Sequence, residues 1–231
     1  MSKLTRALAV AASLVSIATG VLLLSQEALA QEATSELKAE MTASLIPEEM
    51  RAQDRAELKS RLEQLTGFSA YFKQELTDSA GTLLSEGVGQ IFLLRPNHFL
   101  MHNKSPDELA FYTKDSDLYY YDAMVNQLSI TSLGALGANP LMLLADIDNV
   151  SWDEYEVLRE GEFFTLVPRH PQDVQSLTLA FVEGTSFLSA LTIRMDDGNT
   201  NFYLFSEQSA QVDPAVFDFK LPDDVEIDDM R

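Results

Sequence analysis

Gly87-Val-Gly-Gln-Ile-Phe-Leu-Leu-Arg-Pro-Asn-His-Phe-Leu-Met-His102 decides the fold. Taken in twos, Val88 and Gln90 fall on one face of a strand and Gly89, Ile91 and Leu93 on the other. From Ile91 to Leu94 the apolar content is nearly continuous, the pattern of a strand with neither face fully wet. Arg95 is the single charge that interrupts it. Pro96 and Asn97 follow at once as a turn signal, and a second apolar run, Phe99-Leu100-Met101, starts beyond. One guanidinium therefore stands at the rim of a large apolar surface.

Working outward, period-two patterning governs most of the chain. Phe68, Ala70, Phe72, Gln74 and Leu76 share a strand face, and Asp78-Ser-Ala-Gly81 turns into the next strand. Further strands are expected over Phe99–Lys104, Leu109–Lys114, Leu118–Asp122, Gln127–Thr131, Trp152–Glu160, Phe163–Pro168, Ser176–Val182, Leu188–Met195, Asn199–Glu207 and Phe217–Phe219. The loops between them are too short for crossover helices, so the sheet is antiparallel. About eleven strands are too many for one flat layer; the sheet should curl into a barrel, fully or partly closed, around side chains or a ligand cavity.

One helix precedes the strands and a second interrupts them. The first is expected from about Asp54, a candidate N-cap, to Leu65, with Leu58, Leu62 and Leu65 at helical spacing and Gly67 ending it. The second follows the glycines of Leu133-Gly-Ala-Leu-Gly137, with Asn139 as cap and Pro140 at the first helical position. Its Leu141-Met-Leu-Leu144 core is apolar on every side, so it must be buried or must cover something apolar.

Residues 1–30 read as a cleavable export signal. Lys3 and Arg6 precede an apolar run from Ala7 to Leu24, and Ala28-Leu29-Ala30 supplies the small-x-small cleavage site. The alternative, an uncleaved anchor, is disfavoured by that site following so directly. Residues 31–53 form an acidic, partly disordered arm with a helical turn near Pro47, and 54–231 a single domain. No cysteine occurs, which excludes disulfides, a thiolate metal site, a thiol nucleophile and a lipid attached at the cleavage site. The formal net charge of -20 argues against nucleic acid and against adsorption on anionic lipid.

Enzyme signatures are missing: no Gly-x-Ser-x-Gly elbow, no His-Glu-x-x-His and no phosphate-cradling glycine loop. His98 and His102 could share a strand face, but zinc needs more ligands. Asp146, Asp148 and Asn149 lack the glycine and terminal Glu of an EF-hand, and Asp196-Asp197-Gly198 reads as a hairpin turn. No metal or cofactor is expected.

Leu58-Lys-Ser-Arg-Leu62, Phe68-Ser-Ala-Tyr-Phe-Lys-Gln74, Glu86 to Phe99 with its Arg-Pro-Asn-x-Phe turn, Gly137-Ala-Asn-Pro-Leu-Met-Leu143 and Pro222 to Arg231 together resemble the outer-membrane lipoprotein carrier family, LolA. The resemblance implies an unclosed antiparallel half-barrel with a helical lid over a hydrophobic cavity. It further implies a soluble periplasmic chaperone that performs no covalent chemistry and acts as a monomer. Such a chaperone would accept lipoproteins from an inner-membrane ABC transporter and deliver them to an outer-membrane acceptor (LolB-like). On the matching position Arg95 would be the lid latch. Phe72, Ile91, Leu93, Phe99 and Met101 are candidates for the acyl-chain cavity or its mouth, and Pro140, Leu141, Met142 and Leu144 for the lid; ordinary core packing is the other reading of each. The family often has tryptophans near this turn, where this chain has Phe92 and Met101, which gives a softer wall. The acidic arm lies outside the family pattern. The alternatives are a same-fold carrier of another lipid or amphiphile, and an adaptor whose sheet face docks proteins.

Overall fold

The computed structural model describes residues 47–133, 144, 151–171 and 173–231. Contacts divide the chain into Met1–Glu48 and Glu49–Arg231, and the second unit carries the sheet. Helix α1 spans Glu48–Gln64. It opens well before Asp54, which lies inside it: Pro47 precedes the first turn, and Glu48 and Glu49 place carboxylates at the positive end of the helix dipole.

Twelve strands follow: β1 (Gly67–Thr77), β2 (Leu83–Leu94), β3 (His98–Ser105), β4 (Leu109–Lys114), β5 (Asp117–Asp122), β6 (Gln127–Ser132), β7 (Tyr155–Glu160), β8 (Phe163–Pro168), β9 (Val174–Phe181), β10 (Leu188–Met195), β11 (Thr200–Ser209) and β12 (Glu226–Asp229). They form one open sheet in the order β12-β6-β5-β4-β3-β2-β1-β11-β10-β9-β8-β7. Two meanders, β1 to β6 and β7 to β11, meet where β1 pairs with β11. This is the unclosed half-barrel that the family resemblance implies.

The C-terminal region differs from expectation in two respects. Phe217–Phe219 is no strand; Pro214–Phe217 is a 3-10 turn, capped by Asp213 accepting a hydrogen bond from the Ala215 amide at 2.9 Å. The extra strand is β12, which runs parallel to β6 and is the exception in an otherwise antiparallel sheet. Arg231 fastens it, donating to Asp117 on β5 at 2.7 Å and to Asp229. The Asp229 carboxyl is pushed down to about 2, chiefly by that guanidinium. At the other edge, Trp152–Glu154 is a 3-10 turn and the strand begins only at Tyr155.

Each face of the sheet has its own core. The inner face carries Phe68, Phe72, Ile91, Leu93, Phe164, Leu177, Leu191 and Phe205, buried with Leu58 and Leu62 of α1. Phe68 meets Phe205 edge to face, ring centroids 5.8 Å apart. The outer face of β3 to β6 carries Leu100, Ala110, Tyr112, Tyr121, Leu128 and Ile130, covered by Phe217, Phe219, Leu221 and Val225 of the C-terminal segment. A sheet buried on both faces reads as a nearly continuous apolar run, which explains Ile91–Leu94.

Helix α1 is tied to the β7–β9 end. Arg61 donates to Glu57 at 3.0 Å and to Glu162, with its guanidinium 5.3 Å from the centroids of both Phe164 and Phe181. Its hydrogen bond holds the Glu162 carboxyl below the usual carboxylate range. Arg51 and Arg55 reach Glu156 and Asp153 at 3.3 and 3.4 Å.

Candidate functional site

The inner face is closed by α1 at one end and hollow at the other. Where β1, β3, β4, β5 and β11 come together, a cleft of about 220 Å³ is lined by Phe72, Gln74, Met101, Asn103, Leu109, Phe111, Tyr120, Asn201 and Tyr203. The register accounts for this grouping. Gly89 sits opposite Phe72 and Asn103, Met101 opposite Phe111, and Phe111 opposite Tyr120. Directly paired residues project from the same side of a sheet. Gly89 keeps the floor low, since a Cβ there would stand 2.2 Å from the His102 carbonyl oxygen and 2.4 Å from the Phe72 ring. Phe72 in turn meets Tyr203 edge to face at 5.3 Å.

No lining side chain is charged at neutral pH. Burial pushes the Tyr203 phenol up to about 12, and burial, with Asp122 nearby, raises that of Tyr120. In a chain of net charge -20, an uncharged cleft with aromatic and thioether walls suits an acyl chain and offers no cation to pair with an anion.

At the opposite end of β2 stands Arg95. Its backbone amide donates to the Thr66 carbonyl at 2.9 Å, which fixes the strand end to the α1–β1 connection. Buried Thr113 holds the turn that follows, accepting from the Phe99 amide at 3.0 Å and donating to the Asn97 carbonyl at 2.7 Å. From this base the Arg95 side chain donates through Nη1 to the Leu144 carbonyl at 3.2 Å. Leu144 is helical and fully buried in the inner core, on the stretch of chain joining β6 to β7.

Of the residues singled out in the sequence, Phe72, Ile91, Leu93, Phe99, Met101 and Leu144 belong to the same inner cluster. Phe72 and Met101 also line the cleft; Ile91, Leu93 and Phe99 are packed beyond it. Pro140, Leu141 and Met142 lie outside the described residues, as do Asp146, Asp148 and Asn149. His98 and His102 project outward onto Phe217 and Phe219, ring centroids 5.1 Å apart in each case, and His102 also contacts Glu108 at 2.9 Å. Phe111, Tyr120, Tyr203 and the three amide side chains of the cleft were not singled out. Alternation along β4 and β5 could not have found Phe111 or Tyr120, because Ala110, Tyr112 and Tyr121 on the outer face are apolar as well.

A half-barrel with an uncharged cleft on its inner face, and a helical residue hydrogen-bonded to its rim, defines a binding protein for an apolar ligand. The family model "Outer membrane lipoprotein carrier protein LolA" matches residues 63–220. The chain is 34% identical over 194 residues to the outer-membrane lipoprotein carrier protein of Shewanella amazonensis, covering 82% of this chain and 95% of that one. It therefore belongs to the LolA family of lipoprotein carriers. The solved structures it resembles are more distant. An uncharacterized conserved protein from Thermus thermophilus is 14% identical with a TM-score of 0.46, covering 75% of this chain and 98% of that one. A LolA superfamily protein from Nitrosomonas europaea is 11% identical with a TM-score of 0.44, covering 71% and 97%.

Proposed function

We propose that this chain accepts lipoproteins from an inner-membrane ABC transporter, shields their acyl chains on the inner face of the half-barrel and delivers them to a LolB-like outer-membrane acceptor. It does so as a soluble periplasmic monomer after cleavage near Ala30, without covalent chemistry. The observation that carries this reading is the hydrogen bond from Arg95 to the Leu144 carbonyl.

Each methylene withdrawn from water contributes about 0.8 kcal/mol, so several acyl chains held in a rigid pocket would bind too tightly to leave. A carrier needs an opposing term. Arg95 supplies one: moving the segment of Leu144 aside to admit cargo breaks a charge-assisted hydrogen bond worth about 1.5–3 kcal/mol. Re-forming that bond helps expel the cargo. The planar guanidinium suits this role because it can hold several acceptors at once.

Arg95→Leu should therefore take up lipoprotein from spheroplasts as the wild type does, yet pass it to acceptor membranes at least about tenfold more slowly. A variant that transfers at the wild-type rate would remove Arg95 from the mechanism. A wild type that releases no lipoprotein but copurifies with another lipid would leave the binding site and change the cargo.

A further inference from the structure

The cleft changes character along its length in the same way on three strands. One inward position further from Arg95, Phe72 gives way to Gln74 on β1, Met101 to Asn103 on β3, and Tyr203 to Asn201 on β11. An apolar tier thus meets a tier of uncharged amides, and all six side chains line the cleft.

The amides are oriented. Gln74 donates through Nε2 to Asn201 Oδ1 at 2.7 Å, and Asn103 donates through Nδ2 to the Asp107 carbonyl at 3.0 Å. One N–H of each is committed, and the oxygens of Gln74 and Asn103 point back over Gly87. Asn103 Oδ1, the Ser105 carbonyl oxygen and Gln74 Oε1 stand 2.9, 3.0 and 3.1 Å from the place a Cβ on Gly87 would take. Asn103 Oδ1 is buried, and the described residues give it no hydrogen-bond partner. A buried acceptor left unpaired costs about 1–3 kcal/mol, and a strand that needed only packing would place leucine there.

We propose that this amide tier is a head-group subsite that accepts a hydrogen bond from an N–H next to the acyl chain, the secondary amide of an N-acylated amino terminus. The inference rests on the acyl-carrier reading and adds a specificity to it. The cleft grips the chain through Phe72, Met101 and Tyr203, and Asn103, steadied by Asp107 and flanked by Gln74, distinguishes an N-acyl amide from an ester. An ester in the same place has no N–H to give Asn103 Oδ1, which then stays unpaired, and the penalty falls on the wrong ligand.

The test uses two probes that differ in one atom: N-dodecanoylglycine dimethylamide and its ester isostere, O-dodecanoylglycolic acid dimethylamide. In calorimetric titrations the wild type should prefer the amide by about tenfold, the value of one hydrogen bond made to an otherwise unpaired buried group. Asn103→Leu should bind both probes alike through the apolar tier. The melting curve of Asn103→Leu shows whether it is folded. Equal binding of the two probes by the wild type, or an undiminished preference in folded Asn103→Leu, would overturn the subsite and leave the carrier reading intact. If the wild type binds neither probe, the acyl-carrier reading fails and the subsite with it.

Discussion

Phe111→Glu is expected to abolish acyl-chain binding while the domain stays folded. Phe111 is 38% exposed on the inner face, and its ring lies 4.6 Å from that of Tyr120 at the mouth of the cleft. Replacing it sacrifices that ring contact and a partly buried surface, a loss of about 1 kcal/mol. Its effect on binding is much larger. An acyl chain entering the cleft would have to strip water from the new carboxylate, and no lining side chain carries a positive charge to pair with it. Unpaired burial of a charge costs several kcal/mol, so affinity for a dodecanoyl or longer chain should fall by about 100-fold or more. Phe111→Leu, similar in polarity, should stay within a few-fold of wild type. A titration of both variants with a fluorescent fatty acid decides it. Equal binding by the glutamate variant would place the chain elsewhere on the molecule.

The second large effect is on stability. Gly89→Ala adds a single methyl group, yet that atom would stand 2.2 Å from a backbone carbonyl oxygen of β3 and 2.4 Å from the Phe72 ring. The ring could swing only by leaving its edge-to-face contact with Tyr203, and the carbonyl could retreat only by parting β2 from β3. Overpacking of this kind costs about 3 kcal/mol, which lowers the melting temperature of a domain of this size by roughly 10 °C. Thermal unfolding by circular dichroism measures it directly. A variant that melts with the wild type would show that the floor of the cleft is softer than its packing implies. The partial relief of pairing Gly89→Ala with Phe72→Leu would trace the strain to the ring.

The parts legible in the sequence are those in which one face of an element is wet or one residue breaks a pattern. Gly89, Ile91 and Leu93 turned inward as their alternation required, and Arg95 stood out as the single charge in a run of apolar residues. The C-terminal strand was hidden because nothing local specifies it. Glu226-Ile-Asp-Asp229 has one apolar residue and little strand propensity; it is a strand because β6 offers an open edge and Arg231 bonds Asp117. Its charges then protect that edge from further pairing. Asp54 resembles a cap but lies inside α1, because the acids after Pro47 already serve the helix end. The cleft wall on β4 and β5 was hidden for a third reason. Leu109, Ala110, Phe111 and Tyr112 are apolar on both sides, so period two cannot tell inside from outside. Only the folded C-terminal segment, with Phe219 5.3 Å from Tyr112, reveals which face it covers and which stays open.

The most direct test of the central claim, that acyl chains occupy the inner face, is photo-crosslinking to a loaded lipoprotein. A benzophenone amino acid would replace either Phe111, in the cleft, or Leu204, which is 51% exposed and faces outward on the strand that carries Tyr203 inward. After uptake of a lipoprotein with isotope-labelled acyl chains, irradiation should give labelled adduct from the Phe111 site and none from Leu204. Labelled adduct from Leu204, with none from Phe111, would contradict the account and move the cargo to the outer surface of the sheet.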